Sequence, residues 1–149
     1  MLAGVEIKSM IINIPVEPKG KQRARTVRTK TGKVISYTPG QTAMTESMIR
    51  VYITQKKVYF DKGVPIHLII TFYLARPKSC PKKRTLPVTR PDLDNMAKLV
   101  LDACNKFLWA DDAQITDLEI YKRYSSMPSI QLQITEASWI GKDPRIKDS

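Results

Sequence analysis

Apolar and polar positions along the chain fall into a small set of periods, and each predicts an element. Ser9 to Ile14 is a short apolar run that predicts a buried strand, closed by Pro15 and Pro18. Arg25 to Thr38 has two Thr/Val/Ile-containing arms around Lys30-Thr31-Gly32-Lys33, the pattern of a hairpin with Gly32 supplying a positive φ. From Gln41 to about Tyr59 the spacing is helical, with Met44, Met48, Val51 and Tyr52 on one face. Pro65 opens a run through Leu74 that is apolar nearly throughout, as in a central strand. Four prolines between Arg76 and Pro91 exclude regular structure and predict a loop or extended arm.

The second half is clearer. Asp92 to Phe107 predicts a helix whose inward stripe is Met96, Leu99, Val100, Ala103, Cys104 and Phe107. Gln114 to Tyr124 alternates like a strand, as does Ser129 to Thr135, with Ile130, Leu132 and Ile134 inward and Ser125 to Pro128 as the connecting turn. The order is β, hairpin, α, β, α, β, β. Strands joined by turns, with two interspersed helices, predict a single α+β domain: a mixed sheet with two main helices packed on it. The domain is expected over residues 1–136. The tail, 137–149, carries Trp139 but few other core-type residues and is expected to fray.

Length and composition narrow the class. The 149 residues are enough for one core, and 42% hydrophobic content is too high for a disordered chain. No apolar run approaches the roughly 20 residues of a spanning helix, and no signal segment opens the chain. A cytoplasmic location without membrane contact is expected. Two cysteines without CxxC spacing, Cys80 and Cys104, read as ordinary reduced thiols. The single histidine, His67, lies in a strand-like run and reads as structural, so chemistry needing two histidines is excluded. Catalysis must then rest on carboxylates, lysine, serine or tyrosine.

Charge changes the picture most. The net charge is +11, and it is unevenly laid. Seven cations and no acid lie between Lys19 and Lys33, including Lys21, Arg23 and Arg25. Six more, including Lys82, Lys83 and Arg84, lie between Arg76 and Arg90, again without an acid. From Pro91 to Glu119 the balance inverts, with seven acids against two lysines. Cationic segments attract a polyanion, and carboxylates beside them would repel it unless a cation sits among them. That layout suits a metal-dependent nuclease.

The carboxylates in question are Asp92 and Asp94, at the junction of the basic loop and the helix. Residues two apart share a side in extended backbone but lie about 200° apart on a helix. Pro91 favours a helix start after it, so both can reach one divalent ion only at that junction. Lys98 follows Asp94 by one turn on the same face. Asp111 and Asp112 form a second acidic element after the helix. A helix of about 15 residues runs roughly 22 Å, so either the next strand runs back along it or a partner chain supplies Asp112. Two plainer readings stand beside these: Asp92 or Asp94 as a helix cap, and Asp111-Asp112 as a solvated turn. Carboxylate oxygens without His or Cys favour Mg²⁺, with Mn²⁺ as substitute.

Residues 90–105, Arg-Pro-Asp-Leu-Asp-Asn-Met-Ala-Lys-Leu-Val-Leu-Asp-Ala-Cys-Asn, followed by Trp-Ala-Asp-Asp-Ala-Gln-Ile at 109–115, resemble the RusA family of Holliday-junction resolvases. The family pattern D-x-D-N-x-x-K-x-x-x-D, a gap, then D-D-x-Q-(I/V) is present in full. The basic segment Pro18 to Arg25 and Tyr37-Thr38-Pro39 add to the likeness, which covers about Ile11 to Glu136. The resemblance implies metal-binding aspartates at Asp92, Asp94 and Asp112, an essential lysine at Lys98, and an assisting Asp111. It further implies a homodimer, Mg²⁺-dependent hydrolysis and paired nicks across a four-way DNA junction, with no nucleotide cofactor. DNA is expected to meet Lys21, Arg23, Arg25, Lys82, Lys83 and Arg84, in a phage or bacterial protein acting at the nucleoid. The rivals are a fork- or flap-directed nuclease, a non-catalytic junction-binding protein and a basic RNA-binding domain. The last lacks a recognisable stacking motif.

Overall fold

The computed structural model describes residues 9–37 and 39–138; the expected tail, with Trp139, lies almost wholly outside them. Its elements are β1 (Ser9–Ile14), β2 (Arg25–Arg28), β3 (Val34–Tyr37), α1 (Gly40–Gln55), β4 (Ile66–Leu74), α2 (Leu93–Cys104), a 3₁₀ turn (Asp112–Gln114), β5 (Ile115–Tyr124) and β6 (Ser129–Glu136). Every element expected from the pattern is present, in one α+β domain.

Four strands form a mixed sheet in the order β1-β6-β4-β5, and β2 and β3 form a separate ribbon. β4 is central, as its continuous apolar run requires. β5 runs parallel to it through the α2 crossover, and β6 lies antiparallel on its other side. The turn at Ser125 to Pro128 therefore does not make a hairpin of β5 and β6; it carries the chain past the end of β4. The Ser125 amide donates to Leu74 O at 2.9 Å and pins that passage. Alternation reports which face of a strand is inward but not which strand lies beside it, and the crossover helix had already taken one edge of β4.

One face of the sheet is covered. Ile12 and Ile14, Ile66, Leu68, Ile70 and Phe72, and Ile130, Leu132 and Ile134 point inward, and all are buried. α2 covers them with Met96, Ala97, Leu99, Val100, Ala103 and Cys104, the expected stripe with Ala97 added and Phe107 lost. The helix stops at Cys104, and left-handed Lys106 (φ 69°) turns the chain out. Phe107 is thereby 45% exposed and lies against the Arg50 guanidinium, 4.7 Å from the ring centre.

On α1 the expected face is the wrong one. Thr42, Thr45, Ile49 and Ile53 face the core, and Met44, Met48 and Val51 are exposed. The threonines tolerate burial because their hydroxyls are satisfied: Thr45 Oγ1 donates to Gln41 O, and Thr42 Oγ1 accepts from the Gln22 amide. Only Tyr52 of the expected face is partly buried against the core. The β2–β3 ribbon, turning at Gly32 (φ 81°), is exposed along both strands. Among the described residues no helix is long and apolar enough to cross a membrane. Cys80 and Cys104 are free thiols, and burial pushes the Cys104 thiol far up, with Asp112 adding to the effect.

Candidate active site

The strongest helix has an acidic group at each end. At its start the residue before the first turn, Asp92, is extended (φ −71°, ψ 141°) and its side chain makes no capping hydrogen bond. The capping alternative therefore fails for Asp92. Asp94 is in the first turn and exposed, with Lys98 exposed one turn later. Among the described residues none of these three side chains has a hydrogen bond or ion pair. Arg90, Pro91, Asp92 and Asn95 line an open depression of about 420 Å³. The positive end of the α2 dipole favours anionic groups here, whether carboxylate or phosphate.

A basic strap crosses this end of the helix. The Lys21 amide donates to Asn95 O at 3.3 Å. Gly20 packs close to this end of the helix: a Cβ there would meet Asn95 Nδ2 at 2.8 Å and Pro91 Cβ at 3.6 Å, so a larger residue requires the Asn95 amide to move. Lys21 then reaches along the helix to pair with Asp102, and lies 3.7 Å from Glu46, which Arg50 also meets at 3.6 Å. Lys21 was expected to meet DNA, but its ammonium is engaged by protein carboxylates. Arg23, Arg25, Lys82 and Lys83 are exposed, and Arg84 is half-buried. The loop bearing the last three is organised by Arg76, which donates to Arg84 O and Pro81 O, each at 2.6 Å.

Asp111 and Asp112 sit at the other end of α2. Asp111 caps the 3₁₀ turn: its Oδ1 accepts from the Ala113 amide at 3.1 Å, and Gln114 Oε1 accepts from the Asp111 amide at 2.8 Å. The turn is thus internally hydrogen-bonded, with Asp111 exposed and Asp112 half-buried. Gln114, buried, donates through Nε2 to Asp61 O at 2.6 Å and Val64 O at 3.1 Å, tying the corner to the segment before β4. Asp112 Oδ1 accepts from the indole N–H of fully buried Trp109 at 2.6 Å. Burial raises the Asp112 carboxyl above its ordinary value, the Trp109 bond opposes this, and Asp102 and Asp111 raise it further. Its charged neighbours are therefore those at the C-terminal end of the helix.

A 12-residue helix separates the two groups by about 18 Å. Accordingly, among the described residues no group of three or more His, Cys, Asp or Glu side chains is close enough to hold one metal ion. Asp92, Asp94 and Lys98 lie at the N-terminal end of α2, with Asp92 but not Asp94 lining the depression, and Asp102 and Asp111 lie near Asp112 at the other end; the chain does not join the two groups. His67 Nε2 lies 2.8 Å from Glu119 Oε2 on the open face of the sheet. Sequence reasoning missed Lys122, a lone cation on the inward side of β5, whose Nζ donates to Thr89 O at 2.8 Å and Pro91 O at 3.0 Å.

Residues 15–135 match a family model described as Endodeoxyribonuclease RusA. The chain is 28% identical over 132 residues to the uncharacterized protein YqaN of Bacillus subtilis (strain 168), covering 82% of this chain and 92% of that protein. To the crossover junction endodeoxyribonuclease rusA of Lactococcus phage r1t it is 31% identical over 118 residues, covering 77% of this chain and 88% of the phage protein.

Proposed function

Since the chain belongs to the RusA endodeoxyribonuclease family and hydrolyses DNA phosphodiester bonds, we propose that it is a Mg²⁺-dependent nuclease resolving four-way junctions by paired nicks. The observation that carries this reading is the set of unengaged carboxylates, Asp92 and Asp94, with unengaged Lys98 one helical turn after Asp94, directly following the second of two acid-free basic segments. Hard oxygen donors without competing hydrogen bonds fit Mg²⁺. A bound divalent ion would supply polarisation of the scissile phosphate and a lowered pKa for the attacking water.

The chain's own residues do the rest. Asp92, which lines the depression, and Asp94, in the first turn of α2, would hold the ion. Lys98 meets negative charge developing on the phosphate oxygens. Asp112 completes the ligand set from a second copy of the chain, because its own Asp92 and Asp94 lie a helix length away. A two-fold dimer then carries two composite sites, matching the two nicks related by the symmetry of a four-way junction. Arg23, Arg25, Lys82 and Lys83 bind phosphates on either side.

Cleavage of four-way, forked, flapped and linear duplex DNA in Mg²⁺, by the protein and by Asp94→Asn, tests the reading. Paired nicks in the junction and a variant that binds without cutting are expected. A fork or flap cut in preference to the junction, or Mg²⁺-dependent nicking by the variant, overturns it.

A further inference from the structure

Lys122 lies half-buried on the helix-covered side of the edge strand β5. Along β5, Leu118, Ile120, Lys122 and Tyr124 pair with Leu68, Ile70, Phe72 and Leu74, the side of the sheet that the helices cover. A lysine there needs a polar destination for its ammonium. It finds one in the basic loop, donating to the carbonyls of Thr89 and Pro91, directly before Asp92.

Arg76 organises the loop as far as Arg84 and Pro87 is buried, but the stretch next to Asp92 has few polar anchors. Among the described residues no backbone–backbone hydrogen bond involves positions 85–91, and Pro87 and Pro91 have no amide to offer. Gly20 packs over Pro91 from one side without a hydrogen bond to it. Lys122 is thus the polar tether that joins the peptide carrying Asp92 to the rigid sheet.

We propose that Lys122 is a positioning residue for the nuclease site: by fixing the Thr89 and Pro91 carbonyls it places the Asp92 carboxylate for its metal ion. The inference rests on Asp92 being a metal ligand. Groups that orient a ligand in this way typically govern metal affinity by about 10–100-fold when removed.

Lys122→Met keeps the aliphatic stem and removes the donors, and Lys122→Arg restores two donors. Three readouts are combined: amide hydrogen exchange over residues 89–96 without metal, Mn²⁺ binding followed by electron paramagnetic resonance, and the Mg²⁺ dependence of junction cleavage. For Lys122→Met we expect faster exchange confined to that segment, Mn²⁺ affinity and Mg²⁺ half-saturation weakened about ten-fold or more, and unchanged junction binding in EDTA. Lys122→Arg recovers most of each. Unchanged exchange and metal binding in Lys122→Met overturn the proposal. So does a general loss of protection across the sheet that arginine fails to rescue, since Lys122 would then serve only the fold. A wild-type protein that binds no Mn²⁺ refutes the Asp92 site itself, whereas a normal wild type with an unaffected methionine variant refutes only the role of Lys122.

Discussion

Trp109→Phe isolates one bond that joins the core to the candidate chemistry. The indole N–H of a fully buried tryptophan donates to Asp112 Oδ1 at 2.6 Å, and phenylalanine removes that donor while keeping most of the apolar volume. A hydrogen bond to a charged group contributes about 1.5–3 kcal/mol, which we discount to about 1 kcal/mol because the Asp112 carboxylate is only partly buried. The smaller ring adds about 1–2 kcal/mol of lost packing. The total, about 2–3 kcal/mol, corresponds to a Tm lowered by about 5–10 °C for a chain of this size. Burial already raises the Asp112 carboxyl in the folded state, so this group stabilises the fold fully below its unfolded value of about 3.9 and loses that contribution as pH rises through the folded value. Without the indole the carboxyl rises further, so the bond's contribution appears as pH rises through the folded value and is absent in acid. The assay is a double-mutant cycle of Trp109→Phe and Asp112→Ala by urea denaturation at pH 7. A coupling energy of about 1 kcal/mol is expected. If the two losses simply add, the indole bond contributes nothing and the reasoning fails. In cleavage assays the same variant should move the acid limb of the pH–rate profile upward.

On α1, Ile49→Ala should cost about 2–4 kcal/mol, whereas Met44→Ala should cost under about 0.5 kcal/mol at protein concentrations too low for association; equal losses would reverse the assignment of the inward face. Gln114→Ala leaves the carbonyls of Asp61 and Val64 without their donor and should lower stability by about 1–3 kcal/mol, read from chemical denaturation. Replacing Lys82, Lys83 and Arg84 together by alanine should flatten the log–log salt dependence of junction binding, while an unchanged slope would mean that this loop does not touch phosphates. Light scattering at micromolar concentration, alone and with a junction, should give twice the 17.0 kDa chain mass; the monomer mass in both conditions would remove the composite site.

What the sequence by itself determined was everything set by local chemistry. The ribbon around Gly32, the central run from Ile66 to Leu74, the stripe from Met96 to Cys104 and the inward Ile130, Leu132 and Ile134 all follow from periods of 2 and 3.6 and from where Gly and Pro fall. The acidic motifs, and the likeness they carry, were equally legible, because residue spacing at a helix start is a local property. Tertiary structure decided what depends on distant partners. Two apolar stripes on α1 were available, and only the surface it meets selected Ile49 and Ile53 over Met44 and Met48. The strand beside β4 was fixed by the crossover and not by alternation. Lys21 reads as one cation in a run until the fold carries the strap along α2 to Asp102, and Lys122 reads as a solvent-facing lysine until the Thr89 and Pro91 carbonyls are set against it. The separation of Asp92 and Asp94 from Asp112 is likewise tertiary: the length of α2 forces it, and only the path of the chain after Cys104 determines whether the corner turns back. Local pattern encodes which side of an element is apolar; the energy that chooses a neighbour comes from surfaces far apart in the chain.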